Sequence, residues 1–350
     1  MVGKNIKYYR LKNNMTIKAL AEKVGVTSMA ISNYENNKRT PDYNTLKKIA
    51  DVLDINVVNF MSQRTNLDFY HKEFRKNSDF KKTKQELLKE MIEEYFSRFF
   101  FVVNVLGSSI LSPAPIIPSI KLDSDNELNA LKLREYLQIS NEGPINNIID
   151  ILEKKGFLIY LIDFDDENFS GCNGLVNDYP YIAINKRMTP ERQRFTIVHE
   201  LVHLVFDFNA NDEKLVNSIS GAFLFPKKDA YRELGHKRSG IKLDMIVTAI
   251  KYGISMLCLA YRARELNIIS ENSYRNFMVW ASSEGWRKEE PSRIVAEKSL
   301  LFKQLVYRAI DEDEISIQKG AEILNISYDK LNHELNQLYV RGINGFNNGH

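Results

Sequence analysis

The chain has few cysteines, little net charge and no long apolar run, and each shortage removes a class of protein. Two cysteines in 350 residues, Cys172 and Cys258, make no disulfide framework and fit a reducing compartment. The opening stretch Met1–Lys7 lacks the apolar segment of a secretory signal, and no stretch approaches the roughly 20 apolar residues of a membrane span. The expectation is a cytoplasmic protein without a membrane partner. Net charge is only +3, so the chain as a whole is no polyelectrolyte. That charge is unevenly spread. Residues 1–64 hold eleven Lys/Arg against five Asp/Glu, whereas the remainder is slightly acidic. A local basic excess points to a polyanion partner for the first segment alone. With 44% apolar residues, the chain can bury a sizeable core in two or three domains.

Of six histidines, two lie four apart in Arg194-Phe195-Thr196-Ile197-Val198-His199-Glu200-Leu201-Val202-His203-Leu204-Val205-Phe206. On a helix, positions i and i+4 share a face, so both imidazoles reach one ion. Glu200, beside the first histidine, is placed to act as a general base. The neighbours are apolar, which predicts a helix buried on most of its circumference. Two unpaired imidazoles and a carboxylate on one buried face would be costly without such a purpose.

Residues 4–61 read as a bundle of short helices. Thr16 caps a helix Ile17–Val24 that ends at Gly25; Thr27 caps a second, Ser28–Asn36, and Leu46–Leu53 supplies a third. Ala21, Val26, Ile31 and Tyr34 form the packed side. The two capped helices have helix-turn-helix spacing. The run from Ala19 to Pro41 closely resembles the phage-repressor (Xre) type of DNA-binding domain. That resemblance implies that Ser28, Met29 and Asn33 face base edges of double-stranded DNA, with Thr27, Asn37, Lys38 and Arg39 near phosphates. Asn33 suits adenine, whereas Met29 suits a thymine methyl.

From Lys81 to Val103 the pattern is a long amphipathic helix whose aromatic end, Phe99-Phe100-Phe101, must pack on the following domain or form a homodimer seam. Pro113, Pro115 and Pro118 mark an extended connector. Helices are predicted at Leu128–Leu137 and at Ile145–Lys155, the latter opened by Pro144. Strands are predicted at Phe157–Asp163 and Tyr181–Asn185, with Asp165–Gly174 a polar turn between them. Tyr181–Asn185 is the expected open edge for an extended peptide. Thr189 and Pro190 start the histidine helix.

Two histidines leave a catalytic zinc site short of one protein ligand. After a turn through Asn209–Asp212, a helix runs from Glu213 to Phe225 and stops at Pro226. By spacing, Glu213 fits a ligand and a helix cap equally well, because Asp212 and Glu213 both suit a cap. Asn217 lies one turn further along the same face. The motif run, with Glu213-x-x-Val216-Asn217 and Gly221-Ala222-Phe223-Leu224-Phe225-Pro226, resembles the ImmA/IrrE family of zinc metallopeptidases, more loosely over about 128–290. Val202 and Val216 stand where that family usually has glycine and alanine. The resemblance implies one Zn2+ per chain held by His199, His203 and Glu213, with Glu200 catalytic in peptide-bond hydrolysis. Tyr231, His236 and Tyr252 follow the site but read as packing or surface residues, and Cys172 as a structural thiol.

The C-terminal stretch 292–340 reads as helical, and Ile315–Leu331 repeats the helix-turn-helix rhythm with Ser316 and Ser327 as caps. Its acidic neighbours Asp311–Glu314 argue for packing or dimer contact rather than phosphate contact. Asn347–His350 reads as a frayed tail. The expected fold is mostly α with a small sheet (α+β). A helix-turn-helix domain spans 1–65, a helical arm and connector 66–124, a zincin-like domain 125–290 and a helical region 291–350. Two functions remain: a DNA-binding metalloendopeptidase acting on a repressor or antitoxin-like protein, or a regulator or antitoxin whose metal site is structural or sensory.

Overall fold

The computed structural model describes residues 2–62, 64–71, 80–208, 212–286, 288–289 and 291–347. The turn expected at Asn209–Asn211 and the tail beyond Asn347 lie outside these residues, as does Arg287 of the metallopeptidase-like stretch. The chain divides into two units. One comprises Met1–Leu67, Arg75–Ile110 and Leu301–His350; the other comprises Asp68–Phe74 and Leu111–Leu300. In sequence, the histidine motif thus belongs to a unit inserted into a helical one. The fold is α+β, with helices throughout and, among the described residues, one four-stranded sheet.

The helical unit begins with α1 (Val2–Lys12), α2 (Ile17–Val24), α3 (Ser28–Glu35) and α4 (Tyr43–Leu53). Thr16 accepts a hydrogen bond from Ala19 N, Thr27 from Ala30 N and Asp42 from Thr45 N, each filling an N-cap. Gly25 takes the left-handed conformation that ends α2. Leu20, Ala21, Ile31, Tyr34, Leu46 and Ile49 are buried together. Arg10 on α1 reaches Glu35 on α3 through Nη2–Oε2 at 2.9 Å and Nε–Oε1 at 2.5 Å, both side chains buried. Helix α5 (Lys82–Leu106) carries the aromatic run.

The sheet unit contributes β1 (Phe69–His71), α6 (Asn126–Tyr136), α7 (Ile148–Lys154), β2 (Leu158–Ile162), β3 (Gly171–Val176) and β4 (Tyr179–Asn185). These are followed by α8 (Pro190–Val205), α9 (Glu213–Leu224), α10 (Lys227–Leu234), α11 (Asp244–Tyr252), α12 (Met256–Glu265) and α13 (Glu271–Ser283). The sheet order is β1-β3-β4-β2, with β2 parallel to β4 and the other pairs antiparallel.

Four sequence expectations change here. Tyr181–Asn185 is not an edge, since β3 and β2 pair with its two sides. The supposed turn Asp165–Gly174 already contains the start of β3. Its glycines hide the strand, because a Cβ on Gly171 would lie 2.7 Å from Thr196 Cγ2 and one on Gly174 would lie 2.4 Å from Tyr70 O. Pro144 does not open α7. Asn147 does, accepting from Asp150 N, while Ile145 O is taken by Arg194 Nη2. Residues 292–300 form no helix and are held by side-chain bonds instead: Ser292 Oγ and Ile294 N donate to Glu191, and Ser299 Oγ donates to Glu153.

The chain then returns to the helical unit with α14 (Leu301–Asp311), α15 (Ile317–Leu324) and α16 (Tyr328–Asn347). Ser316 caps α15 from Lys319 N, and Ser327 Oγ accepts from Lys330 N. The aromatic end of α5 packs on these C-terminal helices. Tyr95 and Phe99 meet Phe302 at 5.2 and 5.5 Å, and Lys319 lies over Phe101.

Candidate metal centre

Helix α8 is buried around nearly its whole circumference, as its apolar run predicts. It packs against β3, β4 and α9. Arg194 fixes its first half: Nε donates to Gly253 O (3.0 Å), Nη2 to Ile145 O (2.7 Å), and Nη1 pairs with Glu297. Helix α9 is held from its far end by Arg262, fully buried, whose Nε and Nη2 donate to Phe225 O.

The ambiguity at the start of α9 resolves in the geometry. Asp212 is the cap, accepting from Lys214 N and Leu215 N. Glu213 is thereby left to turn toward the histidines. Its Oε2 lies 3.3 Å from His199 Nε2 and its Oε1 lies 3.6 Å from His203 Nε2, and the two imidazole nitrogens are 3.1 Å apart. Zinc bonds of about 2.0–2.1 Å at tetrahedral angles would place ligand atoms about 3.3 Å from one another. The three separations bracket that edge, so the donor set and its spacing fit such an ion. Among the described residues, His199, His203 and Glu213 are the group of ligand-type side chains drawn together in this way.

Two asparagines complete the arrangement. His199 Nδ1 lies 2.9 Å from Asn217 Oδ1. A proton on Nδ1 is donated there, which leaves Nε2 unprotonated and facing the other donors. Asn173, buried on β3, donates from Nδ2 to Glu200 Oε2 at 2.6 Å. Glu200 is itself buried, and this amide fixes the direction of its carboxylate. Asn217 was visible in the sequence one turn beyond Glu213. Asn173 was not, because it sits between the two glycines of an unrecognised strand. Phe195 and Phe208, both partly exposed, flank the imidazoles of His199 and His203 at 6.4 and 6.0 Å.

The remaining candidates are not in this donor group. Burial, and then the charge of Glu200, push the Cys172 thiol well above its usual range, and Cys172 is not in the donor group. A neutral thiol is a poor metal ligand. Tyr231 stacks on His236, while Tyr252 is buried and bonds Arg232 and Glu233. All three serve packing.

In the first unit, Ser28 and Met29 are exposed in the first turn of α3, Met29 at 69%, and Asn33 is half-buried one turn on. Lys38 and Arg39 are exposed beyond its C-terminus. Thr27 and Asn37 carry structural duties as well. Thr27 caps α3, and Asn37 Oδ1 accepts from Gly3 N at 3.1 Å.

Comparison with known proteins adds two domain matches: a helix-turn-helix over residues 6–59 and an IrrE N-terminal-like domain over residues 152–264. Two Bacillus subtilis proteins named as HTH-type transcriptional regulators are similar to part of the chain. YqaE is 32% identical over 76 residues and RghRB 33% identical over 78, in each case 22% of this chain. The aligned part spans 66% of YqaE and 56% of RghRB. The apo form of ComR from S. thermophilus aligns over 94% of this chain and 91% of its own at 12% identity, with a TM-score of 0.17, too low to define a common fold. Among the described residues, no single helix is long and apolar enough to cross a membrane.

Proposed function

Because this chain joins the helix-turn-helix domain of transcription regulators to an IrrE-type, metallopeptidase-like domain, we propose that it is a DNA-binding zinc metalloendopeptidase. Its substrate is a regulatory protein, a repressor or antitoxin-like partner, so that proteolysis is coupled to transcription. The observation that carries the reading is the donor triangle of His199, His203 and Glu213 with Glu200 buried beside it.

A zinc ion bound there would supply Lewis acidity toward the scissile carbonyl and lower the pKa of water. The chain's own residues do the rest. Asn217 holds His199 with Nε2 toward the ion, and both oxygens of Glu213 face the imidazole pair. Glu200, oriented by Asn173, accepts a proton from water and returns it to the leaving amine. In the other unit, Ser28, Met29 and Asn33 read base edges, while Lys38 and Arg39 set the register on the phosphates.

Glu200→Gln tests this. It preserves size and the hydrogen bond from Asn173, so zinc and DNA binding should persist while hydrolysis falls by about 10²–10⁴-fold. The same variant serves as a trap: partners co-purified with it are identified by mass spectrometry and offered to the wild-type protein for cleavage. A second reading, a regulator whose metal site is structural or sensory, draws support from the naming of both relatives as transcriptional regulators. It predicts an unchanged cellular response in Glu200→Gln and a lost one in His203→Ala.

A further inference from the structure

The outer edge of β3 is not open. Phe69–His71 pair with it antiparallel, Phe69 opposite Val176, Tyr70 opposite Leu175 and His71 opposite Gly174. The contact is fastened at both ends. Asp68 N donates to Asn177 Oδ1 (3.0 Å), and Asn177 N donates to Asp68 O (2.9 Å). At the other end His71 Nδ1 lies 2.6 Å from the hydroxyl of Tyr181, and the Phe69 and His71 rings stack at 5.3 Å and 10°. Gly174 is what lets β1 approach, since any Cβ there would lie 2.4 Å from Tyr70 O. One step further along β3 comes Asn173, whose amide holds Glu200.

The edge that β1 occupies is therefore continuous with the residue that orients the general base. β4 fills the other side of β3, so an extended peptide running along it could pair only on the side that β1 holds. Both cannot use Gly174–Val176 at once. A three-residue strand has few hydrogen bonds to lose, which is the property of a segment that yields to a competitor.

We propose that this edge is the docking site for an extended partner segment by strand addition, and that Phe69–His71 is a resident competitor which that segment must displace. This rests on the hydrolytic reading for its consequence, admission of substrate to Glu200, but not for the docking itself. The resident strand defines the occupant: ring side chains at alternate positions, the second carrying a nitrogen or hydroxyl to meet Tyr181. Tethering gives the resident strand a high effective concentration, so a free peptide sees only the fraction of molecules in which the edge is open.

The probe is a fluorescein-labelled hexapeptide with the sequence of residues 66–71, titrated into the full chain by anisotropy. In Phe69→Gly/His71→Gly, which removes the ring stack and the Tyr181 bond, it should bind at least about tenfold tighter than in wild type. Deuterium uptake at residues 171–176 should rise in the variant and fall again on adding peptide. Equal affinity for both proteins, or unchanged exchange along β3, overturns the proposal. Should the double variant fail to fold, His71→Ala reads the same competition at about two- to fivefold amplitude, and no gain there is equally fatal. The titration is repeated in Glu200→Gln and in zinc-free protein, where affinity should be unaltered. Failure of hydrolysis thus leaves the docking result standing, and failure of docking leaves hydrolysis untouched.

Discussion

Asn217 is the residue by which the metal reading is most exposed to refutation. Its Oδ1 is 2.9 Å from His199 Nδ1, and it sits one helical turn beyond Glu213, so on that reading α9 would supply both a ligand and the partner that orients another ligand. Asn217→Leu keeps the branched outline of the side chain and does not lower helix propensity, but removes the acceptor. His199 is then free to adopt the wrong tautomer or to rotate, spoiling the 3.1 Å and 3.3 Å separations that suit a tetrahedral ion. Loss of such an outer partner typically weakens metal affinity about 10–100-fold. At about 1.4 kcal/mol per tenfold, that is roughly 1.4–2.8 kcal/mol of zinc-linked stabilisation. Competition against a chromophoric chelator measures the affinity, and thermal melts with and without zinc measure the linked stability. Zinc-free Asn217→Leu should melt close to wild type, with the difference appearing only on adding metal. Undiminished zinc affinity in a folded variant would refute the reasoning, and the same result for Glu213→Ala would remove the site altogether.

Arg194→Ala should destabilise the sheet unit by about 3–5 kcal/mol, since it leaves the Glu297 carboxylate buried without its partner; a urea denaturation curve shifted by under about 1 kcal/mol would contradict this. Cys172 should resist iodoacetamide in the native state well above the pH at which an ordinary thiol reacts, whereas partly exposed Cys258 should not. The Cys172 pKa is raised in the folded chain, so above the unfolded value near 9 the unfolded state holds fewer protons, and this group's contribution to stability falls as pH rises; a melting temperature that falls less steeply with pH in Cys172→Ala than in wild type would display it. On DNA, Asn33→Ala should cost about 1–3 kcal/mol and relax discrimination at one base pair. Lys38→Ala should instead weaken all sequences alike and lower the slope of affinity against salt by about 0.9. Gel shifts across a salt series separate the two.

What the sequence determined by itself were the features written in local chemistry. Thr16, Thr27 and Gly25 delimit the helix-turn-helix because caps and a left-handed stop act within a few residues. His199 and His203 share a face because helical spacing requires it. The tertiary structure decided what depends on residues distant in the chain. Asp212 and Glu213 were equivalent cap candidates until α9 was set against α8, whereupon Asp212 bonded the helix end and Glu213 met the imidazoles. Strand β3 carried no periodic apolar signal, because close approach by Thr196 and Tyr70 demands glycine where a strand would show a side chain. Asn173 was hidden for the same reason, and Tyr181–Asn185 passed for an edge because pairing partners from residues 158 and 171 onward are a non-local fact. A cap reads its own neighbours, whereas a sheet order and the meeting of His199, His203 and Glu213 are settled only when separate segments pack together.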